Sequence, residues 1–148
     1  MRFAHDRAES LFPSLTTRVA SLSVRALVID DSADTRDLLV ECFAIIGIDA
    51  VAAADAKEAL RTLDRVPIDV VLLDLGLPGM SGVEFLRILR ASPANSSIPV
   101  VIATGRVLQD DAESRFVREQ TQGFFLKPYV FEQLCACLRD LVATRKAE

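Results

Sequence analysis

The chain has 148 residues, 51% apolar and 26% charged, with six Gly, six Pro, three Cys and no Trp. That length suits one compact domain, and the apolar share excludes a disordered chain. Seventeen Lys and Arg against 21 Asp and Glu give a formal net charge of −4, with both signs interspersed, which argues against a binder of phosphate backbones.

Residues 1–22 read as an irregular N-terminal extension. No apolar h-region follows its first residues, and no run anywhere approaches the roughly 18–20 apolar residues of a membrane span, so a soluble cytoplasmic protein is expected. Leu11, Leu15, Val19 and Leu22 recur at helical spacing, with Pro13 tolerable in a first turn. A short docking helix and a frayed arm both fit that pattern. From Ser23 the texture becomes periodic, and 23–148 reads as one domain. Strand-length apolar runs at 24–29, 48–52, 68–73, 98–103 and 123–126 alternate with amphipathic stretches, giving five strands and five helices. Such alternation predicts βα units around a parallel sheet buried on both faces. In the second helix, Ala56, Ala59, Leu60 and Leu63 follow a cap at Asp55, with Glu58 three residues on. Ser81 and Glu84 form a capping box before Leu86 and Leu89, and Asp110 with Glu113 is the expected start of the fourth helix. Phe131, Leu134, Cys135, Leu138, Leu141 and Val142 mark the stripe of the last helix. Cys42, Cys135 and Cys137 are odd in number and lack a CxxC pair, and His5 is the only histidine. That excludes a disulfide framework and a zinc site, and leaves small apolar residues in a reducing compartment.

Ligands of an open parallel sheet sit beyond the carboxyl ends of its strands. The first strand is followed by Asp30 and Asp31, the third by Asp74 and then Leu75-Gly76-Leu77-Pro78-Gly79, the fourth by Thr104-Gly105 and the fifth by Lys127-Pro128. Each alone has an ordinary reading as a cap, a turn residue or a strand terminator. Together, three carboxylates, a hydroxyl and an ammonium converge on one edge of the sheet. The carboxylates repel unless a cation neutralises them, and all-oxygen ligands favour Mg²⁺ or Mn²⁺ over Ca²⁺. An ammonium opposite them suits an incoming phosphate. The combination points to phosphoryl chemistry.

Asp30-Asp31, Asp74, Thr104 and Lys127-Pro128, in this order on these strand ends, resemble the receiver (CheY-like) domain of two-component response regulators. The run from Asp74 to Gly82 resembles the family's D-x-x-[ML]-P-x-M-x-G pattern, and the resemblance covers about residues 23–142. It implies a flavodoxin-like, doubly wound α/β fold with a five-stranded parallel sheet in the order 2-1-3-4-5, flanked by five helices. It also implies that Asp74 is the phosphoacceptor, taking the group from a phosphohistidine on a sensor histidine kinase or a histidine phosphotransfer protein. Asp31 and Asp74 would ligate Mg²⁺ directly, Asp30 largely through water, and the Gly76 carbonyl would complete the protein ligands. Lys127 would pair with the phosphoryl oxygens, and its peptide bond to Pro128 would be cis. Thr104 would move to bind the phosphoryl group, and the switch aromatic Phe124 would turn inward to fill the space. Phe124 has no polar tip to keep wet, so an inward position is open to it even without phosphate, and plain core packing is the bland reading of Phe124 and Phe125. Val130 stands where a cap is common, and Gly76 and Arg106 would flank the phosphoryl group.

The function so implied is a stand-alone receiver that catalyses only its own phosphorylation and dephosphorylation. Output would run through a downstream protein partner, onward phosphotransfer, or a homodimer on the face of the fourth helix, fifth strand and fifth helix. Direct DNA binding is not expected, since the receiver leaves no room for a helix-turn-helix, and neither is a membrane partner. A pseudo-receiver, binding proteins without phosphorylation, is the alternative, but its signature is a lost acidic, acceptor or lysine position, and all are present. A haloacid-dehalogenase-type phosphatase would want Asp at position 76, which is Gly76, and a nucleotide enzyme would want glycines where Asp30-Asp31-Ser32-Ala33 stands.

Overall fold

Val24–Ile29 forms β1, whose aliphatic residues are buried from Ala26 onward. The computed structural model describes residues 24–147; the extension and its helical spacing lie outside the described residues. After β1 come α1 (Ala33–Ile45), β2 (Ile48–Ala53), α2 (Ala56–Arg65), β3 (Val70–Leu73) and α3 (Gly82–Ala91). Then follow β4 (Val100–Thr104), α4 (Ala112–Gln120), β5 (Gly123–Leu126) and α5 (Phe131–Ala147). The five strands are parallel in the order β2-β1-β3-β4-β5, as the resemblance implies. From β1 the chain steps to β2 on one side and to β3, β4 and β5 on the other. The crevice at that reversal lies beyond the ends of β1 and β3.

The two-residue period of the strands divides the core into two layers. Leu27 and Ile29 face α2, α3 and α4, meeting Ala59, Phe85, Leu86 and Val117. Ala26 and Val28 face α1 and α5, meeting Leu39, Phe43, Leu134 and Leu138. Phe43 and Phe131 stack at 5.6 Å and join α1 to α5, while the Arg87 guanidinium lies 4.2 Å over the Phe116 ring and joins α3 to α4.

Caps set the helix starts. Ser32, Asp55 and Ser81 each accept a hydrogen bond from the backbone N–H three residues on. The fourth helix starts differently from the expectation: Asp111, not Asp110, is the cap, with Asp111 Oδ1 accepting from Ser114 N at 2.7 Å. Two strands also begin later than their apolar runs. β3 starts at Val70 because the Asp69 carboxylate takes Arg25 N at 2.8 Å in place of a strand partner. β4 starts at Val100, after Pro99 with no N–H to offer, and Gln122 Oε1 accepts from Val100 N at 2.7 Å. The inward position open to Phe124 is not taken. Phe124 is 39% exposed on the edge strand, while Phe125 packs on the α1–α5 layer, edge-on to Tyr129.

Candidate functional site

The sheet ladder runs one residue past the ends of β1 and β3 and so fixes the acidic residues. Ile29 pairs with Leu73, and Asp74 N donates to Ile29 O at 3.0 Å, which sets Asp74 beside Asp30. Asp30 N donates to Ala53 O at 3.2 Å, and at the other edge Lys127 N donates to Thr104 O at 2.8 Å. Asp30 and Asp74 are only 4% and 8% exposed, so their carboxylates need partners. Lys127 supplies one to each: Nζ donates to Asp30 Oδ2 at 2.6 Å and to Asp74 Oδ2 at 3.1 Å. The remaining oxygens accept backbone N–H groups, Asp30 Oδ1 from Ser32 at 2.9 Å and Asp74 Oδ1 from Gly76 at 3.0 Å. Partial burial pulls the Lys127 ammonium down, but the hydrogen bonds and charges of Asp30 and Asp74 outweigh it and hold the group above its usual range. The Lys127–Pro128 peptide is cis, as expected.

Asp31 is exposed at the mouth, and Asp30, Asp31 and Asp74 each offer an oxygen within 4.8 Å of the others. Three carboxylates against one ammonium leave two negative charges in a confined space. That surplus, presented by hard oxygen donors alone, fits a small divalent cation such as Mg²⁺.

The other expected residues sit apart from this cluster. Thr104 is buried at the end of β4, and its Oγ1 accepts from the Arg106 amide at 3.2 Å rather than contacting a carboxylate. Phe124 faces outward. Gly76 has room for a side chain, since a Cβ there would stand 3.7 Å from Asp74 Oδ1, an ordinary contact. Two supports escaped sequence reasoning. Ser32 caps α1 and also donates its N–H to Asp30, and Arg36 Nη1 donates to the Asp30 carbonyl at 2.8 Å. The available signal was an arginine one turn inside the helix that follows the acidic pair. On the α1 side of Lys127 lies an open apolar hollow of about 620 Å³, walled by Leu38, Leu39, Cys42, Pro128 and Phe131.

A doubly wound sheet whose switch point carries buried carboxylates bonded to a lysine from the edge strand is the architecture of receiver domains. The family model for the response regulator receiver domain matches residues 26–139. The chain belongs to that family: it is a CheY-like receiver domain of the two-component response regulators, a signalling module. It is 32% identical over 115 residues to the DNA-binding response regulator MtrA of Mycobacterium tuberculosis, covering 78% of this chain and 49% of that protein. It is 36% identical over 119 residues to the sensory transduction protein RegX3 of the same organism, with the same coverage. The chain thus spans about half the length of the curated relatives it matches. The expectation of no direct DNA binding finds no support in these relatives, since one carries DNA binding in its name. Among solved structures, the receiver domain protein of Clostridium thermocellum aligns with a TM-score of 0.74 at 25% identity, covering 84% of this chain and 98% of that one. The receiver domain of the Francisella response regulator 1452 aligns with a TM-score of 0.71 at 27% identity, covering 82% and 98%. Receiver domains bind Mg²⁺ in the acidic pocket, and the aspartate cluster here has the donors for it. No helix among the described residues is long and apolar enough to cross a membrane.

Proposed function

We propose that this chain accepts a phosphoryl group on Asp74 from a phosphohistidine of a sensor histidine kinase or histidine phosphotransfer protein, in a Mg²⁺-dependent phosphorelay. The observation that carries this reading is the Lys127 ammonium bonded to both Asp30 and Asp74, with Asp31 completing the acidic cluster. An Asp74 carboxylate oxygen attacks phosphorus; the new O–P bond forms as the P–N bond breaks, and the imidazole nitrogen leaves with the electron pair. Asp30, Asp31, Asp74 and the Gly76 carbonyl would hold Mg²⁺, which supplies positive charge against the transferring group when bound. Lys127 is already at the acceptor and needs only to turn from carboxylate to phosphoryl oxygen.

Thr104 is the link to output. To bind a phosphoryl oxygen its hydroxyl turns away from the Arg106 amide, and Phe124 then has reason to leave solvent for the space vacated. The reading assigns the domain to residues 23–148, with 1–22 as an appendage. It routes output through protein contacts, with the face of α4, β5 and α5 as the surface for a downstream partner or a homodimer.

Intact mass after incubation with Mg²⁺ and acetyl phosphate, beside Asp74→Asn, tests the reading. One added phosphoryl group on the wild type alone is the expected result. A folded wild type that neither gains the group nor binds beryllofluoride with Mg²⁺ would refute it and leave a phosphorylation-independent binding module.

A further inference from the structure

We propose that Arg106 is a second phosphoryl-binding cation, held on Glu113 until the acidic cluster gains negative charge. The inference rests on Asp74 as acceptor and adds a ligand to that site. The Arg106 amide donates to Thr104 Oγ1 at 3.2 Å, so this residue's backbone touches the hydroxyl at the end of β4, the strand beside that of Asp74. Its guanidinium Nη2 meets Glu113 Oε1, in the first turn of α4, at 2.7 Å. Both side chains are nearly half exposed, at 47% and 46%, and so wet an ion pair holds its partners weakly.

Charge gives the arginine a better partner. Before transfer, the two surplus negative charges of the cluster match one divalent cation. Transfer turns the Asp74 carboxylate into an acyl phosphate and brings a phosphoryl group of charge near −2. The cluster then carries one negative charge more than Lys127 and a divalent cation offset. Arg36 is already committed on the α1 side, to the Asp30 carbonyl. Arg106 stands on the Thr104 side, and its planar fork suits two phosphoryl oxygens better than the single oxygen it holds on Glu113. The exchange has a structural sequel: it unties the β4–α4 loop from the first turn of α4, beside the Asp111 cap, and carries the event at Asp74 to that helix.

The test is titration of the full-length chain with beryllofluoride and Mg²⁺, comparing wild type, Arg106→Gln, Arg106→Lys, Glu113→Gln and the double variant Arg106→Gln/Glu113→Gln. Thermal stability without the mimic is recorded beside it. Arg106→Gln is expected to weaken the mimic about tenfold, and Arg106→Lys to restore part of that loss. Glu113→Gln, which frees the guanidinium, should tighten binding about threefold, and the double variant should behave like Arg106→Gln. A merely structural pair would shift both single variants in the same direction, in step with their stability, and that result overturns the proposal. So does unchanged affinity in Arg106→Gln while Asp74→Asn abolishes binding. A folded wild type that binds no mimic defeats the acceptor reading itself, and Arg106 with it.

Discussion

Gly82 is the first residue of α3, and its lack of a side chain lets the helix start press on the backbone of Asp74. A Cβ at this position would stand 2.7 Å from the Asp74 carbonyl oxygen and 2.7 Å from Leu75 Cα. Both are main-chain atoms of the loop that carries Asp74, so no flexible side-chain end can yield. Overpacking of this kind costs about 1–3 kcal/mol. Alanine recovers up to about 1 kcal/mol of helix propensity over glycine, and less in a first turn than in an interior. Gly82→Ala should therefore lose about 1–2 kcal/mol net, a fall of about 4–8 °C in Tm. Gly105 is the control: nothing lies within 4 Å of a Cβ there and its φ is not in the left-handed region, so Gly105→Ala should be neutral or gain about 0.4–1 kcal/mol. Urea unfolding of both variants supplies the numbers, and Mg²⁺ titration reads the displacement of Asp74 as weakened binding. Gly82→Ala as stable as the wild type, with unchanged Mg²⁺ affinity, would refute the close-approach argument.

The Arg90 guanidinium donates to the carbonyls of Ser96, Ile98 and Gln120 and ties the end of α3 to the approaches of β4 and β5. Arg90→Leu should cost about 2 kcal/mol in urea unfolding, and a loss below about 0.5 kcal/mol would show these bonds to be idle. Burial pushes the Cys135 thiol above its usual range, so a thiol reagent should modify the half-buried Cys42 well before Cys135 in the native protein; equal rates by peptide mass would contradict the packing. Hydrogen bonds from the Ser114 backbone and side chain hold the Asp111 carboxyl below its usual range. The stability it contributes is therefore full above the ordinary aspartate pKa of about 3.9 and is lost as pH falls through the lower folded value. Asp111→Asn should flatten that part of the acid limb in denaturation profiles, whereas an unchanged limb would detach the cap from it.

The sequence was most legible where one residue type has one physical use. The apolar runs of the three inner strands β1, β3 and β4 are buried on both faces, and Asp55 and Ser81 cap the helices they precede. Asp30, Asp74 and Lys127 were legible together because parallel strands deliver their carboxyl ends to one edge, and there the three side chains meet. Legibility failed where neighbours compete for one role. Asp110 and Asp111 are equally good caps by type, and the choice fell to Asp111 because Ser114 bonds both Asp111 and Gln109. Ile68 and Ile98 are buried like strand residues, but Asp69 and Pro99 interrupt the ladder beside them. Phe124 and Phe125 are chemically identical, and only the face each takes on the edge strand separates the wet ring from the packed one. The Arg106–Glu113 pair was hidden for another reason: Glu113 reads as a helix-start residue, and its partner lies across a loop.

β5 is one of the two edge strands and, among the described residues, pairs with β4 alone, whereas β1 is paired on both sides. Segments with fewer buried contacts open at lower free energy than the core, and every β5 residue is less buried than any residue of β3 or β4. Here, peeling β5 away would also strip a counter-charge from two buried carboxylates on distant strands, because Lys127 follows β5 directly and is bonded to both. The ion pairs therefore act as a clasp that ties one margin of the sheet to its interior. Any event that draws the ammonium off Asp30 or Asp74 slackens that clasp, and amide hydrogen exchange along Gly123–Leu126 should quicken before exchange in β1 does.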